Sequence, residues 1–142
     1  MTAKEYLNQA YRLNELIESN LKELEQLEAL ATHITSGDTS KDRVQGGLET
    51  HDMLGDTMAK IVDLKKKINA EIDKYIDLKK EIRVKIMLVH NDTEKLILKY
   101  RYIDFLKWEQ IAVQLNFSFQ WVHVLHKRAL RSFKKILSVD CN

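Results

Sequence analysis

The sequence predicts an all-α protein in which a long antiparallel helical hairpin, similar to a coiled coil, is followed by three short helices. Three observations predict this fold class. The 142 residues include no proline and only four glycines, whereas β-sandwiches and β-barrels need many turn-forming residues. Apolar residues recur at steps of three and four along most of the chain, which is the period of an amphipathic helix. Charged residues make up 31% of the total, and this composition argues against collagen-like, low-complexity and disulfide-scaffold chains.

The first long helix is predicted over residues 2–34. Thr2 and Glu5 have the spacing of a capping box, in which each side chain binds the free backbone amide of the other residue. Acidic residues occupy much of the remaining surface of this helix. The apolar stripe consists of Ala10, Leu13, Ile17, Leu21, Leu24, Leu27, Ala31 and Ile34.

Helical periodicity fails over residues 35–49. Gly37, Gly46 and Gly47 lie in this stretch, and glycine weakens helices because it loses much backbone freedom when it is ordered. Loops of this length are uncommon unless they are functional or mobile. We therefore expect either a disordered segment or an element that a partner orders.

The second long helix is predicted over residues 50–89. Its stripe consists of Leu54, Met58, Ile61, Leu64, Ile68, Ile72, Tyr75, Leu78, Ile82, Ile86 and Val89. Neither long helix can bury its stripe alone, so we expect the two helices to pair antiparallel.

The hairpin carries more apolar residues than a two-helix seam needs. The additional positions are Leu7, Leu16, Leu30, Val62 and Ile76. They favour either a homodimer through the long helices or docking of the C-terminal domain on the hairpin. The alternative is a rod on which these residues are simply exposed.

Residues 91–142 are predicted to form a separate domain after the hairpin, which spans residues 1–90. Asn91 and Glu94 form a second capping pair, and Ser118 caps the final helix. The predicted helices cover residues 93–102, 107–115 and 118–137. Their inward positions are Leu96, Ile97 and Tyr100, then Trp108, Ile111, Ala112 and Leu115, then Val122, Leu125, Ala129 and Phe133. Two helices joined by a short turn form a helix-turn-helix, whose second helix enters the major groove of DNA.

This domain resembles region 4 of bacterial sigma factors, the part that reads promoter DNA. The resemblance covers residues 92–137, and it implies a DNA-binding helix-turn-helix that also contacts RNA polymerase. The matching residues are Trp108-Glu109-Gln110-Ile111-Ala112, Leu115, Ser118, Val122, Arg128-Ala129-Leu130 and Phe133.

The whole chain also resembles a phage and prophage family of Gram-positive bacteria. Its members are described as late-transcription regulators of the ArpU type or as domains of unknown function. The stretches that fit are Asp42-Arg43-Val44-Gln45, Val122-His123, Leu125-His126 and Arg128-Ala129-Leu130. The resemblance implies a transcription regulator in the cytoplasm of a bacterial host.

The charge distribution points to the same end of the chain. The net charge is only +2, but residues 91–142 hold nine Lys and Arg against five Asp and Glu. No acidic residue occurs between Gln110 and Val139. A polyanion-binding surface is therefore expected there, and the alternative on charge alone is a solvated basic helix face.

A helical projection separates the apolar side of the last helix from a basic side that bears amides. Gln120 and His123, near the helix start, are the expected base contacts, because glutamine can pair with adenine. Val124 could meet a thymine methyl group, and Trp121 could pack either on the DNA backbone or on the edge of the core. The predicted DNA-binding residues are Ser118, Gln120, Trp121, His123, Val124, Lys127, Arg128, Arg131, Lys134 and Lys135.

A third stripe on this helix consists of Phe119, Leu130 and Leu137, beside His126. It is too apolar for free solvent, so it should pack against the hairpin, a second subunit or RNA polymerase. The sequence does not separate these alternatives. His123 and His126 have no cysteine or carboxylate nearby to complete a metal site, so we expect no metal.

No cofactor or catalytic motif is expected, because the chain has neither a phosphate-binding glycine loop nor a nucleophile motif. The sequence therefore predicts a sequence-specific DNA-binding transcription regulator, not an enzyme. It also predicts no membrane segment, because no stretch approaches 18 uncharged apolar residues. The alternatives are a protein-binding adaptor with a degenerate helix-turn-helix, or a phage assembly component that uses the hairpin to oligomerise.

Overall fold

A computed structural model describes residues 1–36 and 47–140, and all regular secondary structure within them is helical. The helices are α1 (Ala3–Ser36), α2 (Gly47–Ile86), α3 (Asp92–Tyr102), α4 (Trp108–Leu115) and α5 (Phe119–Asp140). The predicted all-α class is therefore confirmed. The predicted break over residues 35–49 is too wide, because α1 continues to Ser36 and α2 begins at Gly47. The rest of that stretch, residues 37–46, lies outside the described residues.

The helix starts are those that the capping pairs predict. The amide of Thr2 donates to Glu5 Oε2 at 2.9 Å, and the amide of Glu5 donates to Thr2 Oγ1 at 3.1 Å. The amide of Glu94 likewise donates to Asn91 Oδ1 at 3.0 Å.

Across the described ranges, none of the helices combines the length and apolar character that a membrane crossing requires.

The contacts divide the chain into two compact units, one of Met1–Asn14 with Lys74–Asn142 and one of Glu15–Asp73. In the second unit, α1 and α2 run antiparallel. Asn20 pairs with Glu71 and Glu28 with Lys65, so the contacts move backwards along α2 as they move forwards along α1.

The seam of the second unit contains a polar pair that the sequence pattern did not predict. Ile17, Ile61 and Ile68 are buried as expected. Leu21 is 44% exposed, however, and Asn20 is buried instead. The Asn20 amide donates to both carboxylate oxygens of Glu71, at 2.9 and 3.0 Å, so hydrogen bonding outweighs the apolar preference there.

Several other apolar positions of the long helices are exposed. Met58, which the stripe places inside, is 47% exposed. Of the five additional positions only Leu7 is buried, and its neighbours in the first unit come from the C-terminal helices as well as from α2. Leu7 therefore behaves as the docking alternative predicts. The exposed members of the set are Leu16, Leu30, Val62 and Ile76.

The first unit has a core that joins one end of the long helices to α3 and α5. Its largest fully buried side chains include Leu7 of α1, Ile82 of α2, Tyr102 of α3 and Phe133 of α5. Leu130 and Leu137 of the third stripe pack against this cluster, whereas Phe119 is 43% exposed. The terminal helix is thus anchored on the same apolar cluster as the ends of α1 and α2.

A second cluster holds the helix-turn-helix together. It contains Ile97, Ile111, Ala112, Val122 and Leu125. The predicted inward positions of α4 and α5 are confirmed, with Trp108 and Leu115 partly buried at the edge.

The inward positions of α3 were predicted incorrectly in part. Leu96 is 38% exposed, while Leu98 and Tyr102 are buried. The reason is that α3 packs on two sides: Ile97 belongs to the helix-turn-helix cluster, and Leu98 and Tyr102 belong to the larger core.

The turn between α4 and α5 depends on Asn116. Its backbone is left-handed, with φ 58° and ψ 43°, a conformation that asparagine tolerates better than most residues. Its backbone N–H donates to the carbonyls of Ala112 and Val113, in the last turn of α4. Ser118 then caps α5 as predicted, because its Oγ accepts from the amide of Trp121 at 3.1 Å.

We expect Asn116→Val to lower the free energy of unfolding by about 1–2 kcal/mol, because a β-branched residue is strained at positive φ. Asn116→Gly should be close to neutral, since glycine adopts this conformation freely. Urea unfolding of both variants measures the difference. Equal stabilities would contradict the role of the left-handed turn.

Candidate nucleic-acid interface

The α5 helix has a buried side and an exposed side. Val122, Leu125, Ala129 and Phe133 are all buried. Of the ten predicted DNA-binding residues, nine are exposed, and His123 is half-buried. The exposed nine are Ser118, Gln120, Trp121, Val124, Lys127, Arg128, Arg131, Lys134 and Lys135. Below, the "basic face" means the five Lys and Arg residues in this set.

The acidic residue of α5 is Asp140, which lies beyond the basic face and pairs with Lys85 of α2. No Asp or Glu occurs between Gln110 and Val139. None of the ion pairs within residues 1–36 and 47–140 involves any of the five cations. Their charges are therefore available to an external anion.

Three predicted residues of α5, His123, Trp121 and Arg128, contact aromatic or cationic side chains. The ring of His123 lies 4.5 Å from the ring of Phe119 and 5.0 Å from that of Trp108, measured between centroids. The Arg128 guanidinium carbon lies 5.3 Å from the centroid of the Trp121 ring. Trp121 itself is 40% exposed, so the indole lies at the surface and not inside the core.

His126, by contrast, faces inward and is held by a buried hydrogen bond. Its Nε2 lies 2.7 Å from the hydroxyl of Tyr102, and its ring contacts Trp108 edge-on at 4.4 Å. Burial, with smaller effects from the charges of Lys4, His123 and Arg101, lowers the pKa of His126 to about 4. Burial raises the pKa of Tyr102 to about 12. Both groups are therefore neutral near pH 7, and the bond ties α5 to α3.

The burial of His126 makes stability depend on pH. His126 binds a proton more weakly in the folded chain, with its pKa at about 4, than in the unfolded chain. The unfolded state therefore gains the extra proton, and stability that is complete above about pH 6.5 is lost as the pH falls towards 4. We expect a loss of about 3 kcal/mol between pH 7 and pH 4 from this group.

Urea unfolding at a series of pH values measures this loss. His126→Gln removes the titration but leaves a polar group opposite Tyr102, so its stability should fall less steeply with acid. The same acid slope in both proteins would contradict a role for His126. The comparison is needed because the hydrogen bond from Tyr6 also lowers the pKa of Glu81.

No metal centre was found at these histidines or elsewhere in the described ranges, where no three His, Cys, Asp or Glu side chains form a group that could hold an ion. One of the two ring nitrogens of His126, Nε2, is already bonded to Tyr102.

A family described as "Protein of unknown function (DUF1492)" matches residues 33–134. The chain belongs to this family. The DUF1492 match runs through α2, α3 and α4 and ends within α5, so it includes the basic face except for Lys135. No curated protein and no solved structure matches the chain. The family description names no activity, and the function is therefore inferred from the geometry of α5.

Sequence reasoning missed Arg101 and Tyr102. Arg101 lies over the ring of Trp108 at 4.5 Å and donates from Nη1 to the carbonyl of Leu106 at 3.0 Å. It therefore fixes the connection between α3 and α4. Tyr102 lies at the end of α3, where periodicity gives little information. Its pairing with His126 spans 24 residues of sequence, so no local pattern could reveal it.

Proposed function

We propose that this protein is a sequence-specific DNA-binding transcription regulator of phage or prophage type, which acts through insertion of α5 into the major groove. One observation carries the proposal. The second helix of a helix-turn-helix presents a basic face opposite a buried apolar side, and among the described residues none of the five cations forms an ion pair. This arrangement matches the way such helices dock on duplex DNA.

The residues of the exposed side divide into two roles. Gln120 lies in the first turn of α5, where recognition helices contact base edges, and an amide can bind adenine in bidentate fashion. Val124 is 41% exposed one turn later and can contact a thymine methyl group. The cations further along α5 suit phosphates, which orient the protein without reading sequence.

A salt titration of duplex DNA binding tests the proposal. If the five cations of the basic face contact phosphates, log affinity should fall with log salt at a slope of about −4.5, that is, about −0.9 for each contact. Fluorescence anisotropy of a labelled duplex gives the slope directly. A flat dependence would contradict DNA binding through this face.

A second candidate is a protein-binding adaptor, in line with the apolar surface around the turn. Val113 is 81% exposed, and Phe119, Trp121 and Val124 are each between 40% and 43% exposed. An adaptor would keep its binding activity at high salt, because apolar contacts do not weaken with salt as phosphate contacts do. The same titration therefore separates the two functions.

We also propose two partners besides DNA. RNA polymerase is the first, since the resemblance to sigma region 4 implies it. A second copy of the chain is the other, since Leu16, Leu30, Val62 and Ile76 remain exposed on the long helices. Light scattering tests the second partner: a dimer fits a regulator, whereas a large closed ring would favour a phage assembly component.

A further inference from the structure

Trp121 and Arg128 form an exposed pair at one edge of the basic face. They are seven residues apart, close to two turns of α5, so their side chains project from the same side of the helix. The guanidinium carbon lies 5.3 Å from the ring centroid, within the range of a cation–π interaction. Both residues are exposed, so an external ligand can reach them.

The donors of Arg128 are not used by the protein. Among the residues that the structure describes, 1–36 and 47–140, no hydrogen bond or ion pair occupies its guanidinium. A guanidinium above a ring is held through its face, and the N–H groups at its edge stay free for a bidentate acceptor. Arg128 is thus oriented by Trp121 without being neutralised by a carboxylate.

A second arginine–tryptophan pair in the same domain shows the contrast. Arg101 lies over Trp108 at 4.5 Å, but its Nη1 donates to the carbonyl of Leu106. Arg101 and Trp108 are both half-buried. That pair is internal to the fold, whereas the pair of Trp121 and Arg128 offers its donors to solvent on the face proposed to meet DNA.

We propose that Trp121 is a positioning residue that holds the Arg128 guanidinium ready for a phosphate group of duplex DNA, an inference that rests on the proposed function. An arginine that is already ordered loses less side-chain entropy when it binds. Because the ordering of one flexible side chain is then largely complete before binding, the expected affinity gain is about threefold. Trp121 therefore strengthens binding through Arg128 without contacting a base.

A double-mutant cycle on a labelled duplex of mixed sequence tests this role. Arg128→Ala should weaken binding about fivefold at about 0.15 M salt and make the salt slope less negative by about 0.9. Trp121→Ala should weaken binding about threefold with the slope unchanged, because the phosphate contact still forms. The double variant should bind as Arg128→Ala does, and Trp121→Phe should recover most of the loss.

The matched control is a second cycle with Lys127, which makes no cation–π contact with Trp121 among the described residues. There the effects of Trp121→Ala and Lys127→Ala should multiply. Trp121 lies outside both buried clusters, so the variants should keep the wild-type melting temperature. Trp121→Leu, which keeps apolar bulk without a π face, carries the same test if the alanine variant is unstable.

Two outcomes would overturn the inference while leaving the proposed function intact: an unchanged affinity in Trp121→Ala, or a loss equally large in the Arg128→Ala background. The latter would mean that the indole contacts DNA itself. If the wild-type protein does not bind duplex DNA in a salt-dependent manner, the proposed function and this inference both fail.

Discussion

Phe133→Ala is expected to lower the free energy of unfolding by about 4 kcal/mol, the largest single effect on stability that we predict. Phe133 is completely buried in α5 and lies in the cluster that α1, α2 and α3 also build. Its ring centroid lies 5.9 Å from that of Tyr6. Alanine would leave a cavity lined by several helices, which cannot all relax into it.

Chemical denaturation followed by circular dichroism measures this loss. Val139→Ala, at a position of the same helix that is 72% exposed, is the control and should change stability by less than about 0.5 kcal/mol. A loss in Phe133→Ala as small as the control's would contradict the shared core. Phe133→Leu should lie between the two, because most of the apolar volume remains.

The shared core gives the candidate interface a rigid base. The buried side of α5 contributes to both clusters, with Val122 and Leu125 in the helix-turn-helix cluster and Ala129 and Phe133 in the larger one. A recognition helix must hold its side chains in register with base edges, so anchoring along much of its length favours specific binding. A single helix thus carries the anchor on one side and the basic face on the other.

The sequence predicted the C-terminal helices most reliably where a helix buries a single face. In α4 and α5 the period of 3.6 residues identified the apolar inward positions but missed the burial of His126, and Ser118 was recognised as a cap. In α3 the same reasoning placed Leu96 inside and left out Leu98, which is buried, because that helix packs on two sides. An amphipathic pattern assumes a single buried face, and this assumption fails for Leu96 and Leu98.

Long-range polar pairs were not predictable for a related reason. Asn20 with Glu71 and Tyr102 with His126 each join residues that are distant in sequence. In each pair, no local sequence pattern identifies the hydrogen-bonding partner. The candidate site was easier to predict, because charge and helical phase are local properties. The exposure of Lys127 and Arg131 agrees with that phase.

The removal of two cations from the centre of the basic face should give the largest effect on binding. Lys127 and Arg131 are exposed, lie one turn apart in α5 and have no acidic neighbours along the helix. If each contacts a phosphate, Lys127→Ala with Arg131→Ala should weaken duplex binding about 30-fold at about 0.15 M salt. The slope of log affinity against log salt should become less negative by about 1.8.

The matched control removes two exposed lysines of α2, Lys66 and Lys67, and so lowers the net charge by the same amount. Its affinity should stay close to wild type if binding depends on the basic face and not on overall charge.

Gln120→Ala should weaken binding only to the preferred sequence, because a base contact discriminates between sequences and a phosphate contact does not. If the double variant regulates transcription as well as the wild-type protein does, phosphate contacts by α5 are not what the protein uses. That result would favour the adaptor function, in which the apolar residues around the turn bind a partner protein.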